Sequence, residues 1–267
     1  LKRNPLLLTV VVACSAALLL YVGQFFAPEA ALYRAIGPRA MVVSGAFVKL
    51  ASLIVATVFA FRSAHLLKGG NPASRAWLIM GLGLTFFSLG QATLTWYQTR
   101  TGAAPFPSAA DIWFMISYPL LILALAAFIT AYVRSGFPAE GWMAIAAVVA
   151  IVATLAGWPL LQPIARTPAA PMAKALNLAY PALDLMMLVP AAVLLWLTSR
   201  FRGGAIWHIW LALIIGILAT AFGDIAFAYF STLGLTRLDP LLHAMYIVAY
   251  GSLAVSAATQ HRLVAPA

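Results

Sequence analysis

The sequence predicts an all-α integral membrane bundle of eight transmembrane helices, and two observations carry that reading. Of 267 residues, 64% are apolar and 8% charged, against about a quarter charged in soluble domains, and the mean hydropathy is +0.98. Apolar runs of about 20 residues, the length that a bilayer core demands of a helix, recur along the whole chain. Barrel strands would be about half as long and would alternate in polarity, which these runs do not. The chain reads as a single transmembrane domain, 1–267.

Breaks at Pro, Gly and Arg clusters define the spans in order. The first, 5–26, follows Lys2 and Arg3. Val11-Val12-Ala13-Cys14 loosely fits a lipoprotein cleavage box, but the apolar run continues well past Cys14, against a signal peptide. The chain does not begin with Met, which fits both a fragment and an alternative start codon. The second and third spans are 40–61 and 74–97. The fourth, 111–133, opens on Asp111 just after Ser108, and the fifth is 142–161. The sixth and seventh, 175–199 and 205–230, precede the eighth, 239–260, which opens on Asp239.

Sixteen Lys and Arg against six Asp and Glu give a net charge of +10, scattered in ones, twos and threes between apolar runs. That spacing suits contact with anionic lipid headgroups and the positive-inside rule, and it excludes a nucleic-acid patch. With a cytoplasmic amino terminus, the inside segments carry Lys2, Arg3, Arg62, Lys68, Arg75, Arg134, Arg200, Arg202 and Arg262. The outside segments carry Arg34, Arg39, Arg100, Arg166, Lys174 and Arg237, and the longer connections (27–39, 98–110, 162–174) fall there too. Both termini are expected in the cytoplasm. The lone cysteine, Cys14, precludes an intrachain disulfide and offers no metal cluster.

Two segments, 81–127 and 216–258, read as copies of one helical hairpin. Gly90-Gln91 followed by Trp96-Tyr97 answers Gly223-Asp224 followed by Tyr229-Phe230, and Asp111 with Tyr118 answers Asp239 with Tyr246. Seven residues is about two helical turns, so each Asp and Tyr share a face. Copies four spans apart enter the membrane in the same sense, which suggests two parallel four-helix repeats.

The polar side chains collect toward the outer half. Asp111 and Asp239 open their helices, where a carboxylate caps free N–H groups. Asp224 stands roughly 9 Å and Asp184 roughly 12–14 Å deep, too far in for capping. Lys49, at a depth similar to Asp184, is the economical partner for it. Gln91, Tyr118, Tyr180, Tyr246 and His243 lie in the same half. A charge buried in a bilayer costs at least about 2.5–3.5 kcal/mol, so these groups should face one another or a water-filled cavity. His243 shares a face with Asp239 and has two readings: a neutral hydrogen-bonded core residue, or a member with Asp224 and Asp239 of a site for a cation or proton. Pro119 and Pro181, each following a Tyr, loosen their helices and suit either a cavity lining or simple packing.

The run Pro105-Phe106-Pro107-Ser108-Ala109-Ala110-Asp111 leading to Tyr118-Pro119-Leu120-Leu121 is followed by Asn177-Leu178-Ala179-Tyr180-Pro181 with Asp184. Gly223-Asp224 and Leu238-Asp239 with Tyr246 complete the set. Together, over roughly residues 77–262, they resemble the multi-span amino-terminal membrane region of bacterial GGDEF/EAL signalling proteins. The resemblance implies a sensory input in the bacterial cytoplasmic membrane, ahead of domains that make or degrade cyclic di-GMP, with the outer-half Asp and Tyr positions as signature residues. Gln91 stands where that family often has Asp, and Leu242 where an aromatic is frequent. The chain stops at Pro266-Ala267 without an output domain, so a longer natural protein and a stand-alone membrane subunit both stay open.

The leading expectation is a non-enzymatic sensory module whose ligand site comprises Lys49, Gln91, Asp184, Asp224, Asp239, His243, Tyr118, Tyr180 and Tyr246, with no metal and with its cofactor unknown. Its partners would be the lipid bilayer and either a cytoplasmic output domain or the subunits of a membrane complex. A structural subunit of a larger assembly is the alternative, using small residues such as Gly81, Gly83 and Gly216 for close helix approach. A transporter needs access from both sides, and the inner half is nearly devoid of polar groups. No hydrolase motif is present, and the seventh and eighth spans lack the lysine a retinal receptor needs.

Overall fold

The computed structural model describes residues 5–67, 70–137 and 140–265. Lys2, Arg3 and Lys68, which entered the charge pattern, and Pro266-Ala267 lie outside the described residues. The described chain is helical throughout, with eight helices long and apolar enough to cross a membrane. It is a multi-pass integral membrane protein.

The spanning helices are α1 (Pro5–Phe26), α3 (Pro38–Leu66), α4 (Pro72–Thr101), α5 (Ala109–Arg134), α6 (Trp142–Arg166), α7 (Pro171–Leu197), α8 (Ala205–Leu233) and α9 (Asp239–Val264). A short helix, α2 (Ala31–Ile36), stands in the 27–39 connection. Most helices extend about a turn beyond the apolar run that marks them. Pro38, Pro72 and Pro171 each occupy the first helical turn, where the missing N–H costs no bond.

Six helices close a ring: α3 packs on α4, α4 on α5, α5 on α7, α7 on α8, α8 on α9, and α9 back on α3. In this ring α3 stands opposite α7. Outside it, α1 lies in the groove between α9 and α3, while α6 leans on α7 and α8. The order of neighbours is nearly the same in the two halves of the chain, α1-α3-α4-α5 and α6-α7-α8-α9. The ring is tight where glycines face aromatic rings. A methyl group at Gly90 would stand 2.6 Å from the Phe114 ring, and one at Gly223 would stand 2.9 Å from the Tyr246 ring. Helix α6 buries only Gly157 and Ile164 and turns Val148, Ile151, Val152, Leu155 and Trp158 outward, as a lipid-facing helix should.

An even number of crossings puts Pro5 and Val264 on one face of the bundle. Toward that face the interior is sealed by aromatic side chains: Trp77 meets Phe128 edge-on at 4.9 Å, and Phe128 meets Trp210 at 5.0 Å. The Trp210 indole N–H donates to Tyr132 Oη at 3.2 Å, satisfying the one polar atom that this ring buries.

Candidate functional site

At the opposite face the ring opens around a cavity of about 410 Å³. Its walls come from the first halves of α3, α5, α7 and α9, the last halves of α4 and α8, and the α4–α5 connection from Gly102 to Ser108. It reaches along α9 from Asp239, which is exposed, to Tyr250, which is buried. That is roughly 16 Å of depth at ~1.5 Å per residue, or about half of a bilayer core.

Capping sets the first wall. Ser108 and Asp111 form a capping box at the start of α5: the backbone N–H of Ser108 donates to Asp111 Oδ2 at 2.6 Å, and the Ser108 side chain accepts from Ala110 N–H at 3.2 Å. The free oxygen, Asp111 Oδ1, accepts the Tyr180 hydroxyl of α7 at 2.6 Å. Asp111 therefore both caps its helix and ties α5 to α7. At the start of α9, Asp239 is in the first turn, yet Leu238 is the capping position and no side chain bonds there. The capping expected of both aspartates thus holds for Asp111, while Asp239 is left at the rim of the cavity.

Two turns deeper, Tyr118 joins the carboxyl groups expected to need partners. Its hydroxyl donates to Asp184 Oδ1 at 2.8 Å and lies 3.4 Å from Asp224 Oδ2. Asp224 Oδ1 in turn accepts the Tyr246 hydroxyl at 2.6 Å. Asp224, Tyr118 and Tyr246 line the cavity, whereas Asp184 is 0% exposed, stands behind the wall, and has no partner for Oδ2.

The expected pairing of Lys49 with Asp184 is not made. Lys49 lies on α3, across the ring from α7, and its Nζ sits 3.2 Å from His243 Nδ1 and 5.7 Å over the Tyr246 ring. An ammonium can only donate, so His243 Nδ1 accepts and the imidazole proton is on Nε2. His243 stacks on Tyr21 of α1 at 4.9 Å between centroids. Placed between Lys49 and Tyr21, it does not join Asp224 and Asp239 around a cation. Among the described residues no group of three His, Cys, Asp or Glu side chains is arranged to hold a metal ion. Of the two readings of His243, the hydrogen-bonded core residue fits these contacts.

Gln91 lines the cavity and is buried; its Nε2 donates to Thr95 Oγ1 at 3.3 Å. In the hairpin comparison Gln91 answers Asp224, but Tyr118 turns from its own hairpin toward α7 and α8. With an amide at Gln91, the first hairpin offers no carboxylate at the level of Tyr118. Eight of the nine residues expected to bind ligand thus border one cavity, Asp184 being the exception.

Several lining residues were not expected. Phe87, Phe114 and Tyr250 supply its aromatic floor, with Phe87 edge-on to Phe114 at 4.9 Å and to Tyr250 at 5.5 Å. Tyr250 follows Tyr246 by one helical turn, a spacing that could have signalled it. Gln98, and Asn177 of the motif already singled out, also border the cavity, and each carries a buried side-chain oxygen without a hydrogen-bond partner. Below the floor lies a small apolar space of about 30 Å³, among Met80, Leu84, Leu121, Leu125 and their neighbours. The cavity thus has an acidic and phenolic wall on α5, α7 and α8, facing Lys49 of α3 and its partner His243 of α9.

These features define a multi-pass membrane protein with a polar, aromatic-lined cavity on the face opposite its termini. Comparisons with known protein families, with curated proteins and with solved structures found no match for the chain.

Proposed function

We propose that this chain is a non-enzymatic sensory input module of a bacterial cytoplasmic membrane, of the kind that precedes GGDEF/EAL output domains, and that its cavity receives a small polar ligand from outside the cell. The observation that carries the reading is the Tyr118 hydroxyl between Asp224, in the cavity wall, and Asp184, behind it. One phenol has one proton to donate. A ligand that supplies its own donor to Asp224 leaves Tyr118 wholly to Asp184, which draws α5 toward α7 and loosens the hold of α5 on α8. A ligand shifts a protein only as far as it binds two packings with different affinity, and this shared phenol gives the bundle two packings to choose between. The signature positions of the resemblance support the assignment, since Asp111, Tyr118, Tyr180, Asp224 and Tyr246 belong to the hydrogen bonds around this one cavity.

With termini in the cytoplasm, the altered packing would pass along α5, α7 and α9 to an output domain or partner subunit bearing on their inner ends. The test is a thermal-stability screen of the protein in lipid nanodiscs against a broad panel of small polar metabolites, run in parallel on Tyr118→Phe. At least one compound is expected to stabilise the wild type, and to change the distance between spin labels at the termini-side ends of α5 and α8, with the distance change lost in Tyr118→Phe. A panel that leaves stability and distances unchanged in both proteins refutes the reading.

A further inference from the structure

The ligand class follows from what Lys49 lacks. Its side chain is 5% exposed and borders the cavity. Its polar contact is one histidine nitrogen and its other partner the face of Tyr246, and among the described residues no carboxylate pairs with it. Two of the three ammonium donors are left over, and a cation buried at membrane depth without a counter-charge is costly. The two acids deep in the bundle, Asp184 and Asp224, are turned to phenols instead, and Asp239 stands at the cavity rim. Across the ring on α7, Asn177 is 8% exposed and carries an unpartnered Oδ1, and Asp224 on α8 borders the same space. One wall therefore asks for an anion and the other for hydrogen-bond donors.

Tyr246 measures the gap between them: Nζ of Lys49 lies 5.7 Å over its ring and its hydroxyl is 2.6 Å from Asp224. A carboxylate and an ammonium on the same carbon bridge such a gap when each makes a charge-assisted bond of about 2.8 Å. The rest of the lining, Phe87, Phe114 and Tyr250 among it, is aromatic and leaves an apolar volume for a side chain. Resting on the sensory reading above, we infer that the cavity binds an apolar α-amino acid, its carboxylate on Lys49 and its ammonium between Asp224 and Asn177.

The experiment uses the full chain in nanodiscs and four probes: L-phenylalanine, L-leucine, and the two halves of the first, phenethylamine and 3-phenylpropionate. Isothermal titration is expected to show binding of at least one amino acid, with each half-molecule at least tenfold weaker than L-phenylalanine. Lys49→Met should erase the preference for L-phenylalanine over phenethylamine, and Asp224→Asn its preference over 3-phenylpropionate. Lys49→Arg, which keeps the positive charge, should retain carboxylate selection and guards against a folding defect in Lys49→Met. Phenethylamine binding as tightly as the amino acid, or L-phenylalanine binding Lys49→Met undiminished, overturns the amino-acid class while leaving a receptor in place. Silence of all four probes also overturns the class, and the receptor reading is then decided separately by the wider metabolite panel.

Discussion

Tyr118→Phe is the substitution that separates the hydrogen-bonded core from the rest of the bundle. It removes one oxygen and leaves the ring's packing against Phe87 and Tyr180 in place. The cost falls on Asp184, which is 0% exposed, receives the hydroxyl at 2.8 Å and has no partner for its second oxygen. Leaving a buried polar group short of a hydrogen-bond partner costs about 1–3 kcal/mol. The expected loss is therefore about 2 kcal/mol, equivalent to roughly 4–8 °C in Tm for a chain of this size. Tyr180→Phe is the internal control. Asp111 keeps the Ser108 backbone donor at 2.6 Å after that change, so its loss should be about 1 kcal/mol. Thermal unfolding in one lipid composition, followed by tryptophan fluorescence, reads both. A double-mutant cycle of Tyr118→Phe with Asp184→Asn should return a coupling of at least about 1 kcal/mol. Equal shifts for the two Tyr variants, or strict additivity in the cycle, would refute the assignment of Tyr118 as the partner of Asp184.

The other expectations concern the scaffold. Ser108→Ala breaks the capping box of α5 and should cost about 1 kcal/mol in the same unfolding assay, with the entrance to the cavity loosened. Gly90→Val places carbon 2.6 Å from the Phe114 ring and should cost about 1–3 kcal/mol by wedging α4 from α5, whereas Gly102→Ala, with open space around it, carries only the strain of its positive φ. Leu155→Ala on α6, 69% exposed to lipid, should shift stability by no more than about 0.5 kcal/mol, while Leu53→Ala in the ring should cost about 2–5 kcal/mol.

The eight spans were legible because each needs an apolar run, and the run from Pro5 to Phe26 coincides with α1 end to end. The short α2 was not, since a six-residue helix in a connection carries no hydropathy signal of its own. The depth of Asp184, Asp224 and Lys49 could be counted from helix rise, which is why their shared half of the bundle could be anticipated. Their partners could not, because depth says nothing of azimuth around the ring. Lys49 and Asp184 share a level but stand on opposite helices, so the two side chains face His243 and Tyr118 instead. The repeat was also misleading at this point: Tyr118 and Tyr246 hold corresponding places in the hairpins, but with an amide at Gln91 Tyr118 turns to Asp184 and Asp224, sharing Asp224 with Tyr246.

The aromatic seal of Trp77, Phe128 and Trp210 has an electrical consequence. Water-filled and turned outward as proposed, a cavity reaching halfway through the bilayer carries the external potential down with it, so most of the transmembrane voltage drops across the other half. Moving one charge through the full field is worth about 2.3 kcal/mol per 100 mV, but an ion settling beside Lys49 or Asp224 crosses little of that drop. Occupancy at this depth should report the concentration outside while remaining nearly blind to whether the membrane is energised.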